Sequence, residues 1–424
     1  MHMAIRRELL QVWGRKPYPC RSGSRTTSLP GQNIGTRRWE KKRGASRRCH
    51  GFCSRKVHSI GAFTGKEVAV KSTDAPASHY LLSLTMPLAV ALGIVGANLT
   101  LPPWNILLAS IGALQTLVVL PILDAIVGQE GSSQPKGMPQ GNEPHSAAYR
   151  HVLYVYACTH ILVLAAGILG TSRLEFLPMV GGVLSLGVMG GLGYTTVHEL
   201  VHGRTKMEHT LASIMLSFMW AMHWQRSHLM HHKHVGKRED PSTARKGENF
   251  YAFALRSISG NIKNGLEDAQ ARGHPKAPLC WIACPTTLAC MFVLLGGISA
   301  GFVFVSQACV AAIILETVNY IQHYGLERKR TPGGEHEPYS AKHSWNANWK
   351  CSNAFAFNLQ HHAEHHLHAS KPYHKLRNVE GAPKLPMSYP LLMMLSLAPP
   401  LFRRVMDKEL SELSQASCLN SPAA

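Results

Sequence analysis

The first 75 residues of this 424-residue chain contain no apolar run, and the apolar runs that follow contain almost no charge. The first absence excludes a buried core at the start: residues 1–75, rich in Arg, Ser and Gly, are expected to be disordered. The second points away from soluble helices, which keep a polar face, and toward lipid. Acids are scarce too, 24 Asp and Glu against 44 Lys and Arg, giving a formal net charge of +20. Residues 1–60 hold 15 of the basic residues and two acids, Glu8 and Glu40. A basic excess fits nucleic acid, an anionic membrane face or an acidic partner. Its confinement to the leader and to loops beside apolar runs selects the membrane, so no nucleic-acid partner is expected. The ten cysteines form no pairing framework. Cys49 and Cys53, with His50 between them, lack the second pair a four-ligand zinc site needs. Reduced thiols, mostly buried in lipid, are expected. No secretory signal peptide or internal repeat is evident. The leader fits either an organelle transit peptide or a solvated basic tail.

A membrane-spanning helix needs about 20 apolar residues. Residues 79–97, 104–127, 151–170, 175–197, 279–297 and 301–321 qualify. The last two are expected to join at a small-residue turn around Ser299 and Ala300. The run 210–224 is too short to span comfortably and reads as a helix that dips into the membrane or caps the bundle. The stretch 386–402, with Pro390, Pro399 and Pro400, reads as interfacial. Backbone polar groups must be satisfied internally in lipid, so these are helices. The expected fold is an all-α integral membrane protein with about six transmembrane helices and a histidine-rich helical cap on the cytoplasmic or equivalent side. Residues 1–75 form the leader, 76–408 the membrane domain and 409–424 a short tail. With six spans, the leader and nearly all other basic residues share one face, as the positive-inside rule requires.

That face also receives the histidines. His198 and His202 form H-x-x-x-H, His228, His231 and His232 form H-x-x-H-H, and His362, His365 and His366 repeat it. Spacings of three and four set side chains on one helix face. Neutral imidazole binds iron, zinc, copper and nickel. Two metal ions would use eight to ten such groups, whereas one structural zinc would leave half unexplained. His198-Glu199-Leu200-Val201-His202 also matches a zinc metalloprotease pattern, with Glu199 as base, but that leaves two clusters unaccounted for. His209, His223, His234, His361 and His368 lie off the three combs and read as supporting or solvent groups.

These motifs resemble the membrane fatty acid desaturase and hydroxylase superfamily. More narrowly, they are similar to the alkane 1-monooxygenases and their xylene monooxygenase relatives. Asn319-Tyr320-Ile321-Gln322-His323-Tyr324-Gly325 is similar to that family's Asn-Tyr-x-Glu-His-Tyr-Gly, and His343-Ser344-Trp345-Asn346 to its His-Ser-Trp-Asn. Glu239-Asp240-Pro241 matches the run after the second box, and Leu359-Gln360 leads into the third. Pro121-Ile122-Leu123-Asp124 resembles the end of the second span, and the similarity covers roughly 80–408. The resemblance implies two non-haem iron ions held by nine histidines, His198, His202, His228, His231, His232, His323, His362, His365 and His366. His323, solitary at the end of a span, enters only through the resemblance. No catalytic residue beyond the metal ligands is implied. Asp240, Asn319, Glu337 and Asn346 are candidates to orient the ligands. Three departures stand out: Ser227 occupies the place of the second box's first histidine, Gln322 replaces an acid, and His361 replaces an arginine.

The implied reaction is O2-dependent terminal hydroxylation of medium- or long-chain alkanes or alkyl chains. A C–H bond of this kind offers no acid–base handle, so the oxidising power must come from the metal and the protein must position and exclude water. Implied partners are the lipid bilayer, the alkyl substrate, and a small acidic electron carrier of rubredoxin or ferredoxin type with its reductase. Basic residues at 226–246 and 326–350, among them Arg328, Arg330, Lys342 and Lys350, suit an acidic carrier or equally anionic headgroups. Two other readings compete. An acyl-lipid desaturase or fatty acid hydroxylase would share the metal chemistry. A membrane metal transporter would need polar residues within its spans, and these carry almost none apart from Asp124 near one end.

Overall fold

The computed structural model describes residues 75–131 and 147–419. The leader, with its Cys49–Cys53 pair, lies outside the described residues. Those described are helical, joined by loops with a few isolated bridges. Helix α1 (Ala77–Leu99) has 23 residues and is long and apolar enough to cross a membrane. The expected span 104–127 is helical in pieces, Trp104–Ala109, Ile111–Leu114, a π-helical turn Gln115–Val119 and Leu120–Val127, together α2. Helices α3 (Ala147–Thr171) and α4 (Phe176–His202), of 25 and 27 residues, are again of spanning length and apolarity.

Three helices follow on the polar side. Helix α5 (Lys206–Phe218) starts at a reciprocal cap in which Thr205 accepts from the Glu208 N–H and the Glu208 carboxylate accepts from the Thr205 N–H. Such caps are worth about 1 kcal/mol. The run 210–224 is therefore not one helix. It stops at Phe218, turns through Trp220 at φ 52°, and restarts as α6 (Trp224–His234). Helix α7 (Phe250–Ala271) is capped by Asn249, whose side chain accepts the Tyr251 N–H.

Helix α8 (Ala277–His323) is 47 residues long. Straight, it would measure about 70 Å, over twice the hydrocarbon thickness. It is not straight. Gly296 and Gly297 leave helical geometry, and Gly297 sits at φ 74°, where a side chain would be strained. Phe292 and Phe304 stack at 5.4 Å, although twelve residues of straight helix would separate them by about 18 Å. The chain thus folds back into two arms, 277–295 and 298–323. The turn falls at Gly296–Gly297 rather than at Ser299 and Ala300, because it needs a residue without Cβ.

The second arm packs along α4, and small residues make that possible. A Cβ on Gly187 or Gly191 would come within 2.3 Å of Val310 or Ile314. This four-residue small-residue spacing is the close-approach device of membrane helix pairs. It brings His202 and His323, at the ends of two distant segments, to one end of the bundle. Helices α9 (Lys350–Phe355) and α10 (His362–Leu367) lie over that end. Asp124 of α2, fully buried, accepts the Ser352 N–H of α9 at 3.0 Å. The stretch 386–402 divides into α11 (Tyr389–Ser396) and α12 (Pro399–Leu419), because Pro399 and Pro400 lack the N–H needed to continue a helix but suit a first turn.

Candidate metal centre

Four helices converge on the polar end of the α4–α8 seam: α4 brings His198 and His202, α6 brings His228, His231 and His232, α8 brings His323, and α10 brings His362, His365 and His366. Their ring nitrogens gather in two groups, each with all its potential ligand atoms within 4.8 Å of one another: His198, His202, His228, His232 and His365, and then His231, His323, His362 and His366. All nine predicted histidines are thus brought together, and the α6 comb is split between the groups. His231 and His232 are neighbours about 100° apart around a helix, so they serve opposite sides.

The rings are set as metal ligands would be. Nε2 atoms face one another, His202 to His228 at 3.1 Å, His232 to His228 at 3.1 Å, His365 to His232 at 3.0 Å, His362 to His323 at 3.0 Å and His366 to His362 at 2.9 Å. Burial, followed by the mutual repulsion of the rings, pushes His228, His232, His362, His365 and His366 well below the usual imidazole value. The neutral form therefore dominates, and it is the ligand form. One such contact could share a proton, but Nε2 of His228, His232 and His362 each meets two others, and a single N–H or lone pair cannot pair linearly with both, whereas a cation between the rings satisfies every lone pair at once. The donor set therefore fits two metal ions.

The surrounding residues fix some of these rings. His231 Nδ1 lies 2.8 Å from Asp240 Oδ2, which also accepts the Thr243 hydroxyl at 2.6 Å. Burial alone would raise the Asp240 carboxyl, but His231 and Thr243 bring it below its usual value. An ionised Asp240 holds the proton on Nδ1 and leaves the Nε2 lone pair for a metal. His323 Nδ1 lies 3.3 Å from the His343 carbonyl and 3.3 Å from Ser344 Oγ. Trp224 stacks on His228 at 4.5 Å, and Glu199 lies 3.4 Å from His198 Nδ1. The other orienting candidates sit further out. Glu337 binds His343 at 3.1 Å and Lys342 at 2.8 Å, Asn319 binds Glu316 at 3.4 Å, and Asn346 accepts the Ala363 N–H at 2.9 Å. Of the residues off the combs, His209 meets Gln225 at 3.3 Å, His223 packs against Trp281, His234 is half-buried and His368 is exposed.

On the membrane side of the histidines lies an apolar cavity walled by Leu120, Leu192, Val318, Phe355 and Met393. Thr195 and Gln322 also line it, three residues and one residue from His198 and His323, while none of the nine histidines does.

A family model described as fatty acid desaturase matches residues 174–395. Alkane 1-monooxygenase 2 of Pseudomonas aeruginosa is 33% identical over 320 residues, which is 72% of this chain and 83% of that protein. The alkane 1-monooxygenase of Pseudomonas putida is 30% identical over 80% of this chain and 86% of its own length. The chain belongs to the alkane 1-monooxygenase family. The xylene/toluene monooxygenase hydroxylase component of Pseudomonas putida is a more distant relative, 26% identical over 55% of the chain. Alkane 1-monooxygenases are oxidoreductases of the desaturase–hydroxylase superfamily, and this chain is an integral membrane enzyme of that kind.

Each departure from the alkane 1-monooxygenase pattern now has a place. Ser227 is fully buried and turns its hydroxyl back to the Trp224 carbonyl, while His228 takes a position in the five-histidine group. Gln322 sets its amide beside the Tyr389 hydroxyl. His361 faces Glu130 at 3.3 Å, so it pairs with the chain following α2.

Proposed function

We propose that this enzyme uses O2 to hydroxylate the terminal, unactivated carbon of a medium- or long-chain alkane or alkyl chain, at two non-haem iron ions. His198, His202, His228, His232 and His365 would hold one ion, and His231, His323, His362 and His366 the other. The observation that carries this reading is the convergence of nine imidazoles near an apolar cavity. Neutral nitrogen donors suit several transition metals; iron, the metal that the family resemblance implies, has the O2 chemistry to attack a C–H bond without acid–base assistance. The protein supplies position and dryness. The cavity wall excludes water, and Thr195, Gln322 and their neighbours set the depth at which a chain end meets the histidines. No charged residue lines the cavity, which favours a bare alkyl chain over an acyl headgroup there.

Electrons would come from a small acidic carrier of rubredoxin or ferredoxin type, served by its reductase. His202, His232 and His366 are partly exposed, so a carrier at the polar face would come close to the metal rings. Lys342 of that face is paired with the Glu337 carboxylate, which leaves less free positive charge than the sequence suggests, while Arg328 donates to the Glu337 backbone carbonyl and keeps its charge. Six crossings follow if α2 and both arms of α8 each traverse the bilayer, with residues 76–408 as the oxygenase domain. The description of the matching family model supports a second reading, an acyl-lipid desaturase or fatty acid hydroxylase. Product analysis separates them: purified enzyme given a reduced carrier, O2 and both octane and an acyl lipid should convert octane to 1-octanol and leave the acyl lipid unchanged. An unsaturated or hydroxylated acyl lipid with no 1-octanol would favour the second reading.

A further inference from the structure

On an amphipathic helix at this depth, the buried stripe is expected to be apolar. Helix α7 departs from that. Its inward face runs Phe250, Phe253, Ser257, Asn261, Gly265, with two polar side chains at its centre, Ser257 fully buried and Asn261 4% exposed. A leucine at either position would bury without the several kcal/mol that an unpaired amide costs. The polar pair is therefore satisfied by something, and its partners lead in two directions.

Toward α8, Asn261 Nδ2 donates to Ser257 Oγ at 3.2 Å, and the Ser257 side chain lies beside Glu316. Glu316 lies seven residues before His323, on the same helix face, and also accepts from Asn319 at 3.4 Å. Toward the metal centre, Asn261 Nδ2 donates to Ser242 Oγ at 2.9 Å, and the Ser242 N–H donates to Asp240 Oδ1 at 3.4 Å. The other oxygen of Asp240 is the one that receives His231. The Asn261–Ser242 contact is reciprocal, since the Ser242 hydroxyl also lies 3.3 Å from Asn261 Oδ1, and Ser242, Asp240, Ser257, Asn261 and Glu316 are all buried. Two features press the Asp240–Thr243 turn onto α7. A Cβ on Gly260 would meet Pro241 at 2.5 Å, and Arg256 donates to the carbonyls of Pro241 and Thr243 at 3.2 and 3.0 Å.

We propose that Asn261, with Ser257 and Glu316 behind it, is a positioning residue for His231, and through it for the four-histidine metal site alone. The proposal rests on the two-metal reading above. Nothing in the network reaches the five-histidine group, so its loss should weaken one site and spare the other. A network that merely joined α7 to α8 would instead affect both sites or neither.

The test uses the full chain in detergent, reloaded with Fe(II) after chelation, with iron per chain measured by elemental analysis and the sites distinguished by Mössbauer spectra. Asn261→Leu should weaken iron binding at one site by roughly 10–100-fold, lowering iron from two to about one per chain at limiting Fe(II) while the other site's spectrum is unchanged. Ser257→Ala should shift binding the same way by less, Ser257→Thr should restore it, and the exposed Ser259→Ala should match wild type. If Asn261→Leu does not fold, the Ser257 pair decides. Two irons with wild-type affinity in Asn261→Leu or Ser257→Ala would overturn the proposal, and so would equal weakening of both sites. A wild-type chain that fails to load two metals would overturn the two-metal reading instead.

Discussion

The two histidine groups are held by different physics. In the four-histidine group, His231 is fixed by an ionised carboxylate and His323 by a backbone carbonyl, directional contacts that set the tautomer. In the five-histidine group, His228 is fixed by the face of Trp224 and the Glu199 carboxylate stands only at 3.4 Å from His198, while the Nδ1 of His365, like those of His362 and His366 in the first group, has no hydrogen-bond partner among the described residues. The first group is also the more enclosed, since only His366 is partly exposed, against His202 and His232 in the second. A chain can therefore place equal ligands by hydrogen bonding on one side and by ring packing on the other, and the two should fail differently.

The largest effect should come from removing a ligand in either group. His231→Ala and His365→Ala should each reduce alkane hydroxylation to roughly 1% of wild type or less, since even orienting partners are worth 10–100-fold, with the protein still inserted in membranes. Wild-type turnover in either variant would refute its place in the centre. Asp240→Asn comes next. Replacing the carboxylate behind His231 should weaken one iron by roughly 10–100-fold and leave the five-histidine spectrum intact; a uniform change would erase the distinction between the groups.

A pH titration of the metal-free protein probes both groups at once. Burial, then ring–ring repulsion, holds His228, His232, His362, His365 and His366 well below the ordinary imidazole value of 6.5. The unfolded chain takes up protons on these rings below about pH 6.5 and the folded chain does not. Stability of the chelated protein should therefore be constant above that pH and fall as pH drops through it. A midpoint of thermal unfolding unchanged from pH 8 to pH 5 would contradict the neutral cage. The smallest effect is expected for Trp224→Phe, which keeps an aromatic face on His228 and should cost about 1 kcal/mol in unfolding free energy, with both irons retained.

The same contrast explains what the sequence could show. The three combs were legible because helix periodicity puts their rings on one face. His323 was not, since a single histidine at a helix end carries no period, and only the motif resemblance pointed to it. Asp240 lies in a recognisable run, and the structure sets it 2.8 Å from His231 Nδ1. Ser257, Asn261 and Glu316 left no trace, because their partners lie on other helices and a helix's buried face is read as apolar. Helix boundaries failed for local reasons. Ser299 and Ala300 are small, but only Gly297 tolerates φ 74°, and Trp220 ended a helix inside an apolar run. The π-helical turn at Gln115–Val119 interrupts a segment whose composition is uniformly apolar, and nothing in that composition marks it.

The central claim is that imidazoles from four separated helices enclose two metal ions beside an alkyl-binding cavity. X-ray absorption at the iron edge of the purified, reloaded enzyme tests it most directly, together with iron content. Two irons per chain in shells dominated by histidine nitrogen at about 2.0–2.1 Å, a typical metal–imidazole distance, are predicted. A single iron, or a shell dominated by oxygen or sulfur, would contradict it.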